Sequence, residues 1–83
     1  MSPMIHVTVN LMGKVAEAAG ESELEYALVP PAGLGMLLEL LATRRPAVAG
    51  MLDSCRITIN GANAAEADLL SSGDEVSIVG PES

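Results

Sequence analysis

One stretch, "GLGMLLELLATRRP", limits most sharply what this chain can fold into. Within it Leu34, Leu37, Leu38 and Leu41 recur at i, i+3, i+4 and i+7, the spacing that puts apolar side chains on one stripe of a helix. Pro46 stops that helix, because the residue before a proline avoids the helical region. Its start reads as weakly capped, since Ala32 and Gly33 stand where Ser, Thr or Asp would serve better. Arg44-Arg45 falls at its C-terminal end, where cations favour the helix dipole. A single main helix of this kind must bury its leucines against something other than a second long helix.

The remaining segments supply a sheet. "IHVTVN" alternates, with Ile5, Val7 and Val9 on one side and His6, Thr8 and Asn10 on the other. "SELEYALVPP" alternates again, with Leu24, Tyr26 and Leu28 opposed to Glu23, Glu25 and Ala27. Pro30-Pro31 ends it, because proline cannot donate to a ladder. "CRITING" turns Ile57 and Ile59 inward and closes on Asn60-Gly61, a strong tight-turn signal. "EVSIV" is the last strand, with Val76 and Ile78 inward. Between the first two strands "GKVAEAAG" fits a short helix or helical turn stopped by Gly20. "AVAGML" predicts a loop or one helical turn, and "ANAAEADLLSSGDEV" a short extended piece, a leucine pair and a turn.

The order is therefore β-β-α-β-(β)-β. The link between the first two strands is too short for a full crossover helix, so an antiparallel hairpin is expected. The last strand is placed to lie parallel to the first. These features predict an α+β chain of the β-grasp type: a mixed sheet of four to five strands with one main helix packed on one face. Residues 1–83 form one domain, with residues 80–83 as a C-terminal tail.

Composition narrows the possible partners. Apolar residues make up 49% of the 83 residues, with no Phe, no Trp and only Tyr26 as an aromatic, so the core is aliphatic. Burying each large aliphatic side chain contributes about 1.5–3 kcal/mol. The net charge of −7 argues against nucleic acid, which requires a basic patch, and against an anionic membrane surface. No apolar run approaches the length of a membrane span. "MSPMIHVTVN" has no cationic region followed by an apolar run, and a cytoplasmic location is expected.

Side chains that could carry chemistry have plainer explanations. Cys55 is the only cysteine, which precludes an internal disulfide or a cysteine-based metal site; it reads as a small, buried or half-buried apolar residue, with a reactive or persulfide-accepting thiol as the alternative. His6 stands alone beside Thr8, short of the three or four ligands a zinc site needs. Glu21, Glu23 and Glu25 read as a solvated acidic strand edge that discourages aggregation. Met36 and Leu40, beside the leucine stripe, read as core or core rim, with a contact patch as the second reading. Gly13-Lys14 lacks the glycine spacing of a phosphate loop. No metal and no cofactor is expected.

Three stretches carry a resemblance: "MIHVTVN", "LLELLATRRPAV" and "ITINGANAAEADLLSSGDEVSIV". The most specific spacing joins Asn60-Gly61, a leucine at 69 or 70, and Gly73-Asp74-Glu75-Val76. On these residues nearly the whole chain resembles the MoaD/ThiS family of ubiquitin-like sulfur carriers. Carriers of that family end in Gly-Gly. An activating enzyme adenylates the terminal carboxylate and a sulfur donor converts it to a thiocarboxylate. The MoaD branch then supplies a pterin precursor in molybdenum or tungsten cofactor synthesis, and the ThiS branch the thiazole of thiamin.

The resemblance implies a protein without a catalytic side chain that works with a larger partner, either like the molybdopterin synthase large subunit or like an E1-type activating enzyme. In a carrier, the reactive terminus would belong to the segment Gly80, Pro81, Glu82 and Ser83. The outward strand positions Thr8, Asn10, Thr58, Ser77 and Val79 are the expected partner-binding residues. Family members often place bulky apolar residues there, whereas here Val79 alone is apolar. The helix sequence ending "RRPAV" leans slightly towards the MoaD side.

The sequence departs from the family pattern at "VGPES" and contains no Gly-Gly pair. Glycines suit a tail threading a narrow channel because they have no Cβ, and Glu82 adds negative charge where ATP phosphates are handled. Several readings stay open. The natural chain continues past Ser83; or the protein is an interaction or regulatory subunit that no longer carries sulfur; or it carries sulfur on a non-standard terminus; or it is a β-grasp domain of another lineage.

Overall fold

In a computed structural model of the chain, which describes residues 4–80, alternation of small and branched side chains builds the sheet. Strand β1, Ile5–Met12, buries Val7, Val9 and Leu11 and turns Thr8, Asn10 and Met12 to the other side. It runs two residues past Asn10, in the same phase as the alternation upstream. Helix α1, Lys14–Ala19, follows and ends at Gly20, whose φ of 78° is left-handed. Strand β2, Glu23–Leu28, returns antiparallel to β1 with Val7 opposite Tyr26 and Val9 opposite Leu24.

The last strand, β7 (Glu75–Val79), lies parallel to β1, with Val9 opposite Val76 and Leu11 opposite Ile78. Strand β4, Arg56–Ile59, pairs antiparallel with β7. It turns through Asn60 and Gly61, both at positive φ, into the short strand β5, Ala62–Asn63. Positive φ at both central residues is what a tight two-residue hairpin requires. The sheet order is β2-β1-β7-β4-β5, with the parallel β1–β7 pair inside.

Helix α2, Leu34–Arg44, crosses one face of this sheet and buries Leu34, Leu37, Leu38 and Leu41, the predicted stripe. Pro46 ends it and opens the single turn α3, Pro46–Ala49, followed by a 3-10 turn at Leu52–Ser54. This is the β-grasp architecture. Its core is aliphatic except for Tyr26, and Val9, Val15, Leu37, Leu41, Val76 and Ile78 have no solvent exposure. Burial pushes the Tyr26 phenol up, partly opposed by the positive charge of Arg44. The Arg44 guanidinium stands 6.0 Å from the ring centroid, within range of a cation–π contact.

Two features differ from the expectations. Ala32–Gly33, read as a poor helix cap, forms strand β3 and pairs with strand β6, Leu69–Leu70, as a second small sheet. The cap comes instead from distant backbone. The Leu34 N–H donates to the Asp68 carbonyl (2.9 Å) and the Gly35 N–H to the Glu66 carbonyl (3.1 Å). The Asp68 carboxylate holds that loop by accepting from the Ala65 N–H (2.8 Å). Donors of the first helical turn need such partners, and these come from a part of the chain that no local sequence window contains. Second, Glu21 precedes β2 and pairs with Arg45, so only Glu23 and Glu25 of the expected acidic edge stand on the strand.

Candidate functional site

Helix α2 covers one face of the sheet; among the described residues no element packs on the other, and strand register decides which side chains meet there. Ser77 on β7 lies between Asn10 of β1 and Thr58 of β4. Glu23 extends that row beyond Asn10, and Asn63 extends it beyond Thr58. In a parallel row Thr8 stands between Glu25 and Glu75. A third row places Val79 between Met12 and Arg56. Neighbouring strands are about 4.8 Å apart, so Thr8, Asn10, Thr58, Ser77 and Val79 form one contiguous surface, and all five are half-buried. Glu23, Glu25 and Glu75 oppose the single Arg56 on this face, which gives it an acidic balance.

Met12 was not among the expected contact residues, yet it belongs to this surface. It is 45% exposed and lies beside Val79. The open face therefore ends in a pair of apolar side chains rather than in Val79 alone. The signal was present in "IHVTVNLM", whose alternation places Met12 in phase with Thr8 and Asn10.

The chain leaves the sheet at that same end. The Gly80 N–H donates to the Met12 carbonyl (2.8 Å), which extends the β1–β7 pairing by one bond. Gly80 is buried and presses on the first turn of α1. A Cβ at position 80 would stand 2.8 Å from the Val15 nitrogen, and 3.3 Å from both the Lys14 nitrogen and the Met12 carbonyl oxygen. Gly13, at φ 73°, faces it, and a Cβ at position 13 would stand 3.3 Å from the Gly80 carbonyl oxygen. Gly80 is thus a fitted part of the fold. Pro81, Glu82 and Ser83, the rest of the expected carrier terminus, lie outside the described residues.

The start of β7 is fixed as firmly as its end. The Asp74 carboxylate accepts from the Ser71 N–H (2.8 Å) and from the Asn60 side-chain amide (3.0 Å). The Asn60 side-chain carbonyl accepts from the Glu75 N–H (2.9 Å). The Asn60 N–H donates to the Glu75 carbonyl (2.8 Å). The Asn60-Gly61 and Gly73-Asp74-Glu75 spacing is therefore the clamp between the β4–β5 turn and the last strand.

The remaining candidate side chains are placed without chemistry. His6 is exposed, and its main chain contributes a carbonyl to the Gly73 N–H (2.8 Å). The Cys55 thiol donates to the Met51 carbonyl (3.1 Å), and burial pushes its pKa up, which lowers the thiolate fraction that reactivity needs. Among the described residues no group of three His, Cys, Asp or Glu is gathered closely enough to hold a metal ion, and no helix is long and apolar enough to cross a membrane.

The sequence profile of the ThiS family matches residues 9–83. The chain belongs to the ThiS family. No curated protein matches it in a sequence comparison. Among solved structures, this ThiS-family chain is similar to the small archaeal modifier protein 1 of Methanosarcina acetivorans, with 27% identity, a TM-score of 0.80, and 94% of each chain covered. The modifier protein SAMP1 of Haloferax volcanii superposes with a TM-score of 0.86 at 24% identity, over 94% of this chain and 97% of that one. In a protein–protein complex of subunits 1 and 2 of the molybdopterin-converting factor of Helicobacter pylori, one chain superposes with a TM-score of 0.68 at 20% identity, over 95% of this chain and 97% of that one.

Proposed function

We propose that this protein is a non-catalytic, ubiquitin-like sulfur carrier that acts in the cytoplasm. It docks on a larger protein through the open face of its sheet and presents its C-terminus to that partner. The observation that carries the reading is the coincidence of the Met12–Val79 apolar pair with the strand exit at Gly80. A partner that grips this end of the face meets the outgoing chain at the next residue.

Membership of the ThiS family supports this reading. In such carriers an activating enzyme joins the terminal carboxylate to AMP, releasing pyrophosphate, and hydrosulfide, or its equivalent from a sulfur donor and a thiol reductant, then displaces AMP to leave a thiocarboxylate. Of the two pathways open to such a carrier, we favour molybdopterin over thiamin, on the "RRPAV" helix end and the similarity to a chain of the Helicobacter pylori converting factor. A second reading, an interaction or regulatory subunit that carries no sulfur, draws on the polar Asn10–Ser77–Thr58 row at the centre of the face. That row offers a partner less apolar contact than carriers usually present.

Intact mass spectrometry of the protein isolated from its own cells separates the two. A carrier yields a fraction heavier by the difference between sulfur and oxygen at the C-terminus, and its activating enzyme consumes ATP on adding it. An unmodified terminus that no activating enzyme adenylates would exclude carriage. Ser77→Arg, placed at the centre of the face, is expected to abolish co-purification with the larger partner in either reading while leaving the thermal transition in place.

A further inference from the structure

On the helical side of the sheet α2 leaves an open groove of about 660 Å³, bounded by α2, the 3-10 turn Leu52–Ser54 and the β4–β5 hairpin. Its floor is apolar. Leu34 and Leu38 are core residues, Leu52 and Ile57 are half-buried, and Met36 is 47% exposed at the margin. Three exposed carboxylates, Glu39, Asp53 and Glu66, stand around that floor, and among the described residues no Lys or Arg lines it. Among the described residues none of these three carboxylates makes an ion pair; the pair formed is Arg45 with Glu21, elsewhere on the molecule.

Three like charges around an apolar depression favour an occupant that brings the opposite charge together with apolar surface. The sign of that charge disfavours a second copy, whose own net charge is −7. It equally disfavours nucleic acid or an anionic membrane. An open trough beside a helix, with a polarizable methionine on its margin, suits an amphipathic helical segment of another protein.

We propose that this groove docks a segment of a partner protein that lays apolar side chains on the Leu38–Ile57 floor and sets flanking Lys or Arg against Glu39, Asp53 and Glu66. The site lies across the sheet from the Thr8–Ser77 face, so both can be occupied at once, and it holds whether or not the chain carries sulfur.

The test uses the whole chain, ¹⁵N-labelled, titrated with a short synthetic amphipathic helix made only of Leu and Lys. A control peptide has each Leu replaced by Ser and keeps the charge. The expected result is amide shifts centred on Met36, Glu39, Asp53 and Glu66 with the Leu/Lys peptide and none there with the control. The combined variant Glu39→Gln, Asp53→Asn and Glu66→Gln raises the Kd about tenfold, corresponding to modest contributions from three exposed ion pairs. Met36→Ser, an exposed position that leaves the core intact, also weakens binding. Equal binding of the two peptides, an unchanged Kd in the combined variant, or shifts spread over the open sheet face would overturn the proposal. So would groove shifts that appear on concentrating the protein without peptide, since they would identify a second copy as the occupant.

Discussion

The replacement Gly80→Ala tests the geometry of the strand exit directly. The added methyl group would stand 2.8 Å from the Val15 nitrogen and 3.3 Å from the Lys14 nitrogen and Met12 oxygen. All three are backbone atoms, so no flexible side-chain tip can swing away. Either the end of β7 lifts or α1 moves outward. Lifting β7 weakens the Gly80–Met12 hydrogen bond, and moving α1 displaces Val15, which has no solvent exposure.

Overpacking of this kind costs about 1–3 kcal/mol, and a weakened hydrogen bond adds up to about 1 kcal/mol. The lower entropy of an unfolded chain with Ala in place of Gly returns about 0.4–1 kcal/mol. The expected net loss is about 1–3 kcal/mol, read as a lower urea midpoint with unchanged slope and a fall in Tm of about 4–8 °C per kcal/mol. Two controls separate space from backbone angle. Gly50 has φ −75° and ψ −8° with nothing within 4 Å, so Gly50→Ala should stabilise by about 0.4–1 kcal/mol. Gly20 has equal room but φ 78°, so Gly20→Ala should cost about 1–2 kcal/mol through angle alone. A Gly80→Ala protein as stable as Gly50→Ala would refute the fitted exit.

Leu37→Ala, at a position with no solvent exposure under α2, should lower unfolding free energy by about 2–5 kcal/mol in the same urea assay. Asp74→Ala removes the acceptor for both the Ser71 N–H and the Asn60 amide; a loss of about 1–2 kcal/mol and faster hydrogen exchange at the Ser71 amide are expected. Burial raises the Cys55 and Tyr26 pKa values above their ordinary 9.0 and 10.0, so the folded state holds both protons more tightly than the unfolded chain. Their contribution is complete below those ordinary values and fades as pH rises through the folded-state values. Urea midpoints should therefore fall with pH in the alkaline range, less steeply in Cys55→Ala and Tyr26→Phe, and identical slopes in all three proteins would contradict this.

The elements legible in the sequence are those whose signal is local. Leu34, Leu37, Leu38 and Leu41 announce α2 because the stripe lies within one short window, and Asn60-Gly61 announces the hairpin because its backbone angles suit few other residues. The β1–β7 pairing followed from the order of elements, although its partners lie at opposite ends of the chain. What escaped was set by contacts that sequence distance hides. Ala32–Gly33 looked like a poor cap until the Glu66 and Asp68 carbonyls supplied the missing acceptors. Glu21 looked like part of an acidic edge until Arg45 came to meet it. The five outward residues share one face by parity, and Met12 joins them because the first strand continues past Asn10. The role of Gly80 was invisible because nothing in "VGPES" reveals that α1 packs against it.

These long-range contacts bear on function because they fall where elements join. In the carrier reading, the partner contacts the Met12–Val79 pair while the chain departs one residue later, held to Met12 through Gly80. Each residue past Gly80 can extend the reach by at most about 3.3–3.6 Å. With the docking point and the departure point fixed to each other by backbone hydrogen bonds, the depth reached inside a partner depends on the number of residues after Gly80 and on how extended they are. Movement of the β-grasp body adds little to it. In that reading, rigidity at Gly80 would set the starting point of the reach, and the close contact among Gly13, Val15 and Gly80 would supply it.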